Sequence, residues 1–177
     1  MNRLLNALFI TLAIALTGCA ANVQRGADED KLALSPAATK RIAMDVQVNE
    51  TMTASKDWEQ FRGVWRTEMA EAAKLQGVAV VPLEAARAPD AAPATLVTVK
   101  VNDYRYITRA ARVVAGITTG NAYVDSDVTF TELPAGTLIG KRKYATSSST
   151  MQGLFAPMTE RQLQGITEEI VREISQR

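Results

Sequence analysis

The sequence predicts an α+β fold: a two-layer sandwich in which a mixed, mostly antiparallel sheet of about five strands carries two helices on one face. Three observations predict it. Apolar residues alternate at Ile42, Met44, Val46 and Val48, at Val97, Val99 and Val101, and at Val124, Val128 and Phe130, the two-residue period of half-buried strands. Two other stretches repeat apolar residues at spacings of three and four, the period of an amphipathic helix. Proline and glycine clusters separate these runs. Isolated amphipathic helices need another layer to bury their stripes, so the helices belong on the sheet.

Taken in order, the first strand starts at Arg41, with Arg41, Ala43, Asp45 and Gln47 on the face opposite the apolar set. Asn49-Glu50-Thr51 matches a glycosylation sequon, a short motif that carries little weight by itself. Ser55 then reads as an N-cap, with Asp57 and Glu59 in the first turn. The helix runs to about Gln76 on the stripe Trp58, Phe61, Trp65, Met69, Ala72 and Leu75, and Gly77 stops it. Both tryptophans lie on this stripe, where they read as anchors to the sheet rather than as a ligand platform. Val78 to Val81 reads as a short central strand stopped by Pro82, and residues 84–94 as a loop because Pro89 and Pro93 interrupt regular structure. A long strand runs from Ala94 to about Ile107; its phase slips at Tyr104 and Tyr106, which predicts a bulge near Asn102 and Asp103. After Thr108 to Asn121, a strand through Val124, Val128 and Phe130 turns at Leu133-Pro134-Ala135-Gly136 and returns from Thr137 to about Ser147. A polar loop, Ser147 to Gly153, precedes the last helix. That helix opens at Pro157, with Thr159 and Gln162 at capping-box spacing and a stripe of Leu163, Ile166, Ile170, Val171 and Ile174.

Composition excludes several functions. The chain carries 20 Lys and Arg against 19 Asp and Glu, and 47% hydrophobic residues. This near-neutral balance argues against nucleic acid or an anionic membrane surface as the main partner. There is no histidine, which removes Ser-His-Asp and Cys-His catalysis, histidine metal sites and a histidine pH switch. There is one cysteine, so no disulfide forms within the chain. No cofactor is implied.

The N-terminus gives an address. Arg3, the apolar run Leu4 to Ala15 and a small-residue cleavage site before Cys19 make a secretory leader, too short to span a bilayer, which takes about 20 residues. Leu16-Thr17-Gly18-Cys19 resembles the lipobox of bacterial lipoproteins. That resemblance implies cleavage after Gly18 and a lipid on the Cys19 thiol and amine, and two or more acyl chains anchor stably at about 0.8 kcal/mol per buried CH₂. Ala20, where an Asp would favour inner-membrane retention, implies the outer membrane, facing the periplasm. The chain thus divides into a leader (1–18), a lipidated flexible tether (19–38), whose coil reach is about 25 Å, and a periplasmic domain (39–177).

Candidate chemistry in that domain is sparse. Gly136-Thr137-Leu138-Ile139-Gly140-Lys141 approaches a phosphate-binding loop but is one residue short between its glycines and has Arg142 where Ser or Thr belongs. Asp125 and Asp127 share one face of a strand; they could hold a cation or act as acid and base in a hydrolase, or form a solvated face opposite Lys141 and Lys143. Tyr104, Tyr106, Arg109 and Arg112, with Gly116 and Gly120, mark a stretch that could take a small anion or glycan, or serve as an interface or tip.

The layout resembles the bacterial lipoproteins of domain of unknown function 4410. The likeness covers roughly residues 40–176: a lipobox, a strand, an aromatic helix, a long strand ending in Tyr104-Arg105-Tyr106, then Arg109, Arg112, Gly116 and Gly120, a Val-Asp-Ser-Asp-Val strand and a terminal helix. The element order is also similar to periplasmic domains of curli- and exopolysaccharide-secretion lipoproteins, which form rings at the outer membrane. Neither resemblance implies a catalytic motif. Together these readings lead us to expect a non-enzymatic envelope lipoprotein that is structural or assembles with an envelope partner or itself.

Overall fold

A computed structural model describes residues 23–26, 30–88, 90–106, 122–147 and 158–175. In chain order the elements are strand β1 (Val23–Arg25), a 3-10 turn (Ala38–Lys40), β2 (Arg41–Val48), helix α1 (Glu50–Thr53), α2 (Trp58–Leu75), β3 (Ala79–Val80), α3 (Leu83–Ala86), β4 (Ala94–Arg105), β5 (Tyr123–Leu133), β6 (Thr137–Ser147) and α4 (Met158–Ser175). The fold is α+β, as the alternation and the two stripes predict. The described sheet has six strands rather than about five, in the order β1-β6-β5-β4-β2-β3. The β1–β6, β6–β5 and β5–β4 pairs are antiparallel, and β4–β2 and β2–β3 are parallel.

The core lies between one sheet face and the two long helices. Ile42, Val46, Val97, Val99, Val101, Val124, Val128, Phe130 and Tyr144 supply the sheet side. Trp58, Phe61, Trp65, Met69, Ala72 and Ala73 come from α2, and Leu163, Ile166, Ile170, Val171 and Ile174 from α4. Full burial of one such aliphatic or aromatic side chain contributes roughly 1.5–3 kcal/mol. A smaller cluster on the opposite face, Ala43, Ala86, Ala94, Leu96 and Leu133, lies where α3 packs near β2 and β4.

Several expectations are corrected. Residues 23–25 and 30–38 are not a free tether. β1 pairs with β6 at Val23–Thr146 and Arg25–Tyr144, Leu32 and Leu34 pack against the core, Ala38 is fully buried, and Thr95 Oγ1 donates to the Ala38 carbonyl at 3.0 Å. Backbone hydrogen bonding on the exposed β6 edge outweighs the polar composition that suggests a coil. The Val78–Val81 strand is not central: β3 has two residues, both exposed, at the sheet edge, while Val78 joins the main core and Val81 packs against the smaller cluster. Residues 84–94 are not wholly loop, since α3 forms over Leu83–Ala86 behind Pro82 at its N-cap. Leu75, the last residue of α2, leaves the stripe at 75% exposure, and Ala73 is buried instead.

Caps are corrected too. Ser55 does not cap α2; Asp57 holds that position without a side-chain cap bond, its carboxylate instead accepting from the Ser55 and Tyr104 hydroxyls. Asn49 caps α1, its Oδ1 accepting from the Met52 amide at 3.0 Å. Thr159 and Gln162 lie within α4 and are buried, and the Gln162 amide donates to the Ala122 carbonyl at 2.7 Å rather than closing a capping box. Gly77, in the left-handed region at φ 66°, ends α2 as expected, and Gly136 at φ 71° makes the β5–β6 turn. The predicted bulge is present as a register shift between Val101 and Asp103; a second lies between Phe130 and Thr131.

Candidate functional site

The bulge in β4 sorts the candidate residues. It moves Tyr104 onto the helix side, where its ring stacks on Phe61 with centroids 4.2 Å apart and an interplanar angle of 9°. Trp58 lies 6.3 Å from the same ring, and the hydroxyl donates to Asp57 Oδ1 at 3.0 Å. Tyr106 meets Phe61 edge-on at 6.1 Å. Burial first, and then the Glu160 and Asp57 carboxylates, raise the Tyr106 phenol above its usual range. The two tyrosines therefore join α2 to β4 and are built into the aromatic end of the core. Arg109, Arg112, Gly116 and Gly120, named with them in the sequence, lie outside the described residues, as do Leu16, Thr17, Gly18 and Cys19.

The same bulge aims Asn102 at the paired carboxylates. Its amide Nδ2 donates to Asp127 Oδ2 at 2.8 Å and to Asp125 Oδ1 at 3.3 Å. Lys143 Nζ lies 3.2 Å from Asp125 Oδ2, with both side chains substantially exposed. In register, Asp127 faces Lys143 and Asp125 faces Ala145, while Lys141 faces Thr129, so the expected Lys141 partner is displaced by one pair. An open depression beside them on the face away from α2 and α4 is lined by Gln47, Thr98, Lys100, Asp127 and Lys143 among others. The pair is a hydrated ladder of alternating charge. Among the described residues, no group of three or more His, Cys, Asp or Glu is placed to hold a metal ion.

The sequence reading missed a largely enclosed ion cluster. Glu173 on α4 accepts from Arg142 Nε at 2.7 Å, from Tyr144 Oη at 2.6 Å and from Arg25 Nη1 at 3.1 Å. The Arg142 side chain is 5% exposed and that of Glu173 10%. Arg142 also donates to the Asp30 carbonyl, so one guanidinium fastens β6, α4 and the N-terminal segment. Burial, and then the Glu173 carboxylate, hold the Tyr144 phenol far above its usual range, which keeps its hydroxyl a donor to Glu173. The available signal was parity: Arg142, Tyr144 and Thr146 alternate on one face of β6, and that face is the inward one.

The start of β1 adds a further constraint. Val23 pairs with Thr146. At the same sheet end, Ser147 pairs with Tyr123, Tyr123 with Arg105, and Val48 with Val101. Cys19 lies four residues upstream of Val23.

With the geometry in place, the fold finds a counterpart. It is similar to PelC. Two crystal structures of the PelC dodecamer from Paraburkholderia phytofirmans match with TM-scores of 0.56 at 15% identity, covering 88% and 89% of this chain and 99% of theirs. A protein from Xanthomonas campestris matches with a TM-score of 0.43 at 13% identity, over 75% of this chain and 81% of that one. At 15% identity the likeness to PelC is one of fold. No family model and no curated protein matches the chain.

Proposed function

We propose that this chain is a lipid-anchored protein of the bacterial outer membrane, facing the periplasm, with a structural or assembly role carried out through self-association or a protein partner in the envelope. The observation that carries the reading is Leu16-Thr17-Gly18-Cys19 behind a short apolar leader, with the sole cysteine at the site of lipidation. The absence of histidine and the near-neutral charge fit a domain that works by contact rather than chemistry. Among the described residues no helix is long and apolar enough to cross a membrane, so membrane attachment by this reading rests on the lipid.

Self-association draws support from the sheet. β3 covers only Arg41 and Ile42 of β2, while β4 pairs with β2 along its other side from Ile42 to Val48. Sheet edges of this kind invite pairing with another chain. PelC, which shares the fold, is a dodecamer.

The decisive experiment is Cys19→Ser in cells. The wild-type chain is expected in the carbonate-resistant membrane fraction with a mass increase for acylation at Cys19, and the variant in the soluble fraction or unprocessed. A variant that stays in the washed membrane overturns the anchor. Native mass spectrometry with in-cell crosslinking tests assembly: a strictly monomeric protein with no crosslinked partner overturns that part.

A further inference from the structure

We propose that the sheet end carrying Arg105, Tyr123 and Ser147 rests against the phospholipid headgroup surface, with the β5–β6 turn at Gly136 pointing away from it. This rests on the lipidation of Cys19 under the proposed function. The first argument is reach. Three residues lie between Cys19 and Val23, and the four steps from one to the other span at most about 14 Å fully extended. Val23 is the first residue of β1 and is fixed in register opposite Thr146, so the lipid cannot lie far from this end. A coil of about twenty residues would have let the domain float; the docking of β1 removes that freedom.

The second argument is rigidity. Arg25, two residues into β1, is held by Glu173 at 3.1 Å, and the same carboxylate is bound by the buried Arg142 and by Tyr144. Val23 packs against the main core, and so do Leu32 and Leu34 downstream. Separating the anchor from the domain therefore means peeling β1 from β6 and opening a partly buried ion cluster.

The third is the character of the surfaces. The near end presents Tyr123, whose hydroxyl donates to Asp103 at 3.1 Å, beside Arg105. Tyrosine with a polar tip suits the headgroup layer. The face away from α2 and α4 carries Lys100, Asp127, Lys141 and Lys143 in mixed charge around an open depression. The β5 and β6 strands have 11 residues each, which places the Gly136 turn about 36 Å from the near end. A domain standing on this end keeps its far turn well beyond the reach of the tether.

The test uses the lipidated protein in phosphatidylethanolamine–phosphatidylglycerol vesicles bearing acceptor-labelled headgroups. Cys19 is the sole cysteine, so once it is acylated only an introduced thiol takes a donor dye. Ser147→Cys and Ala135→Cys are both exposed positions, at the near and far ends. Energy transfer is expected to be at least roughly two-fold greater from position 147 than from 135, given the strand length between them. Equal or reversed transfer with Cys19 acylated overturns the orientation and leaves the anchor standing. A free Cys19 thiol in the mass spectrum of the same sample overturns the anchor and the orientation together. Insertion of about twenty Gly and Ser residues between Asn22 and Val23 is expected to erase the difference by restoring a floating tether; a difference that persists overturns the short reach as its cause.

Discussion

Glu173 joins three elements through one carboxylate, and its loss should be felt in all of them. Replacing one member of a buried ion pair strands the other without compensation, which costs roughly 3–5 kcal/mol. Arg142→Ala is therefore expected to lower the urea midpoint strongly, and an unchanged midpoint would show that the cluster adds nothing to stability. Tyr144→Phe removes only the hydroxyl that donates to Glu173 at 2.6 Å and should cost about 1–3 kcal/mol by the same measurement. Glu68 gives a pH dependence of definite sign. Burial first, and then the carboxylates of Glu160, Glu71 and Glu168, raise its pKa above the ordinary 4.5. The folded state holds that proton more tightly than the unfolded chain, so the contribution is fully present below 4.5 and is lost as pH rises through the raised value. Glu68→Gln should therefore gain on the wild type between about pH 4 and pH 7 in thermal melts, and a gap that closes with rising pH would contradict the assignment. Gly77, at φ 66° with open space around the position of a Cβ, isolates backbone strain: Gly77→Ala should cost roughly 1–2 kcal/mol without any clash.

At the scale of elements, α4 is the cleanest agreement between sequence and structure. Leu163, Ile166, Ile170, Val171 and Ile174 fall on one face by spacing, and each is at most 1% exposed. Leu163→Ala should cost about 2–5 kcal/mol in chemical denaturation. Leu75 shares a helical stripe by the same reasoning and is 75% exposed, so Leu75→Lys should change stability by no more than about 0.5 kcal/mol. The difference is tertiary: Leu75, at the last position of α2, is left uncovered, whereas the α4 stripe is covered along its length. β1 and β3 were illegible or misplaced for a related reason. Three residues at Val23–Arg25 carry no period, and Ala79–Val80 reads as apolar whether it lies at the centre or the rim. What decides each is the unpaired edge it meets. The bulge at Asn102 was legible, because a long alternating strand that changes parity must insert a residue. That it would aim Asn102 at Asp125 and Asp127 depended on β5 lying alongside.

For the whole molecule, the long helices on one face of a mixed sheet were readable from two periods, and the likeness to PelC is in that architecture. The candidate site was less readable. Tyr104 and Tyr106 stood out as aromatics next to arginines, yet their ring contacts with Phe61 place them in the core. The Glu173 cluster gave no local signal, since Arg142 lies 31 residues from Glu173 and Arg25 lies 148 residues from it. Its consequence belongs to the whole protein, because it fastens Val23–Arg25 and Asp30 to β6 and α4.

The sequence by itself determined the fold class, the two buried helix stripes, the strand with its bulge and the exclusion of histidine chemistry, because periodicity and composition are local and survive without knowledge of neighbours. Only the tertiary structure decided which short segments fill the sheet edges, which polar side chains on β6 turn inward, and how few residues separate Cys19 from the packed domain. Those outcomes depend on pairing between segments far apart in the chain, where hydrogen bonding and charge compensation act on groups whose partners no local pattern reveals.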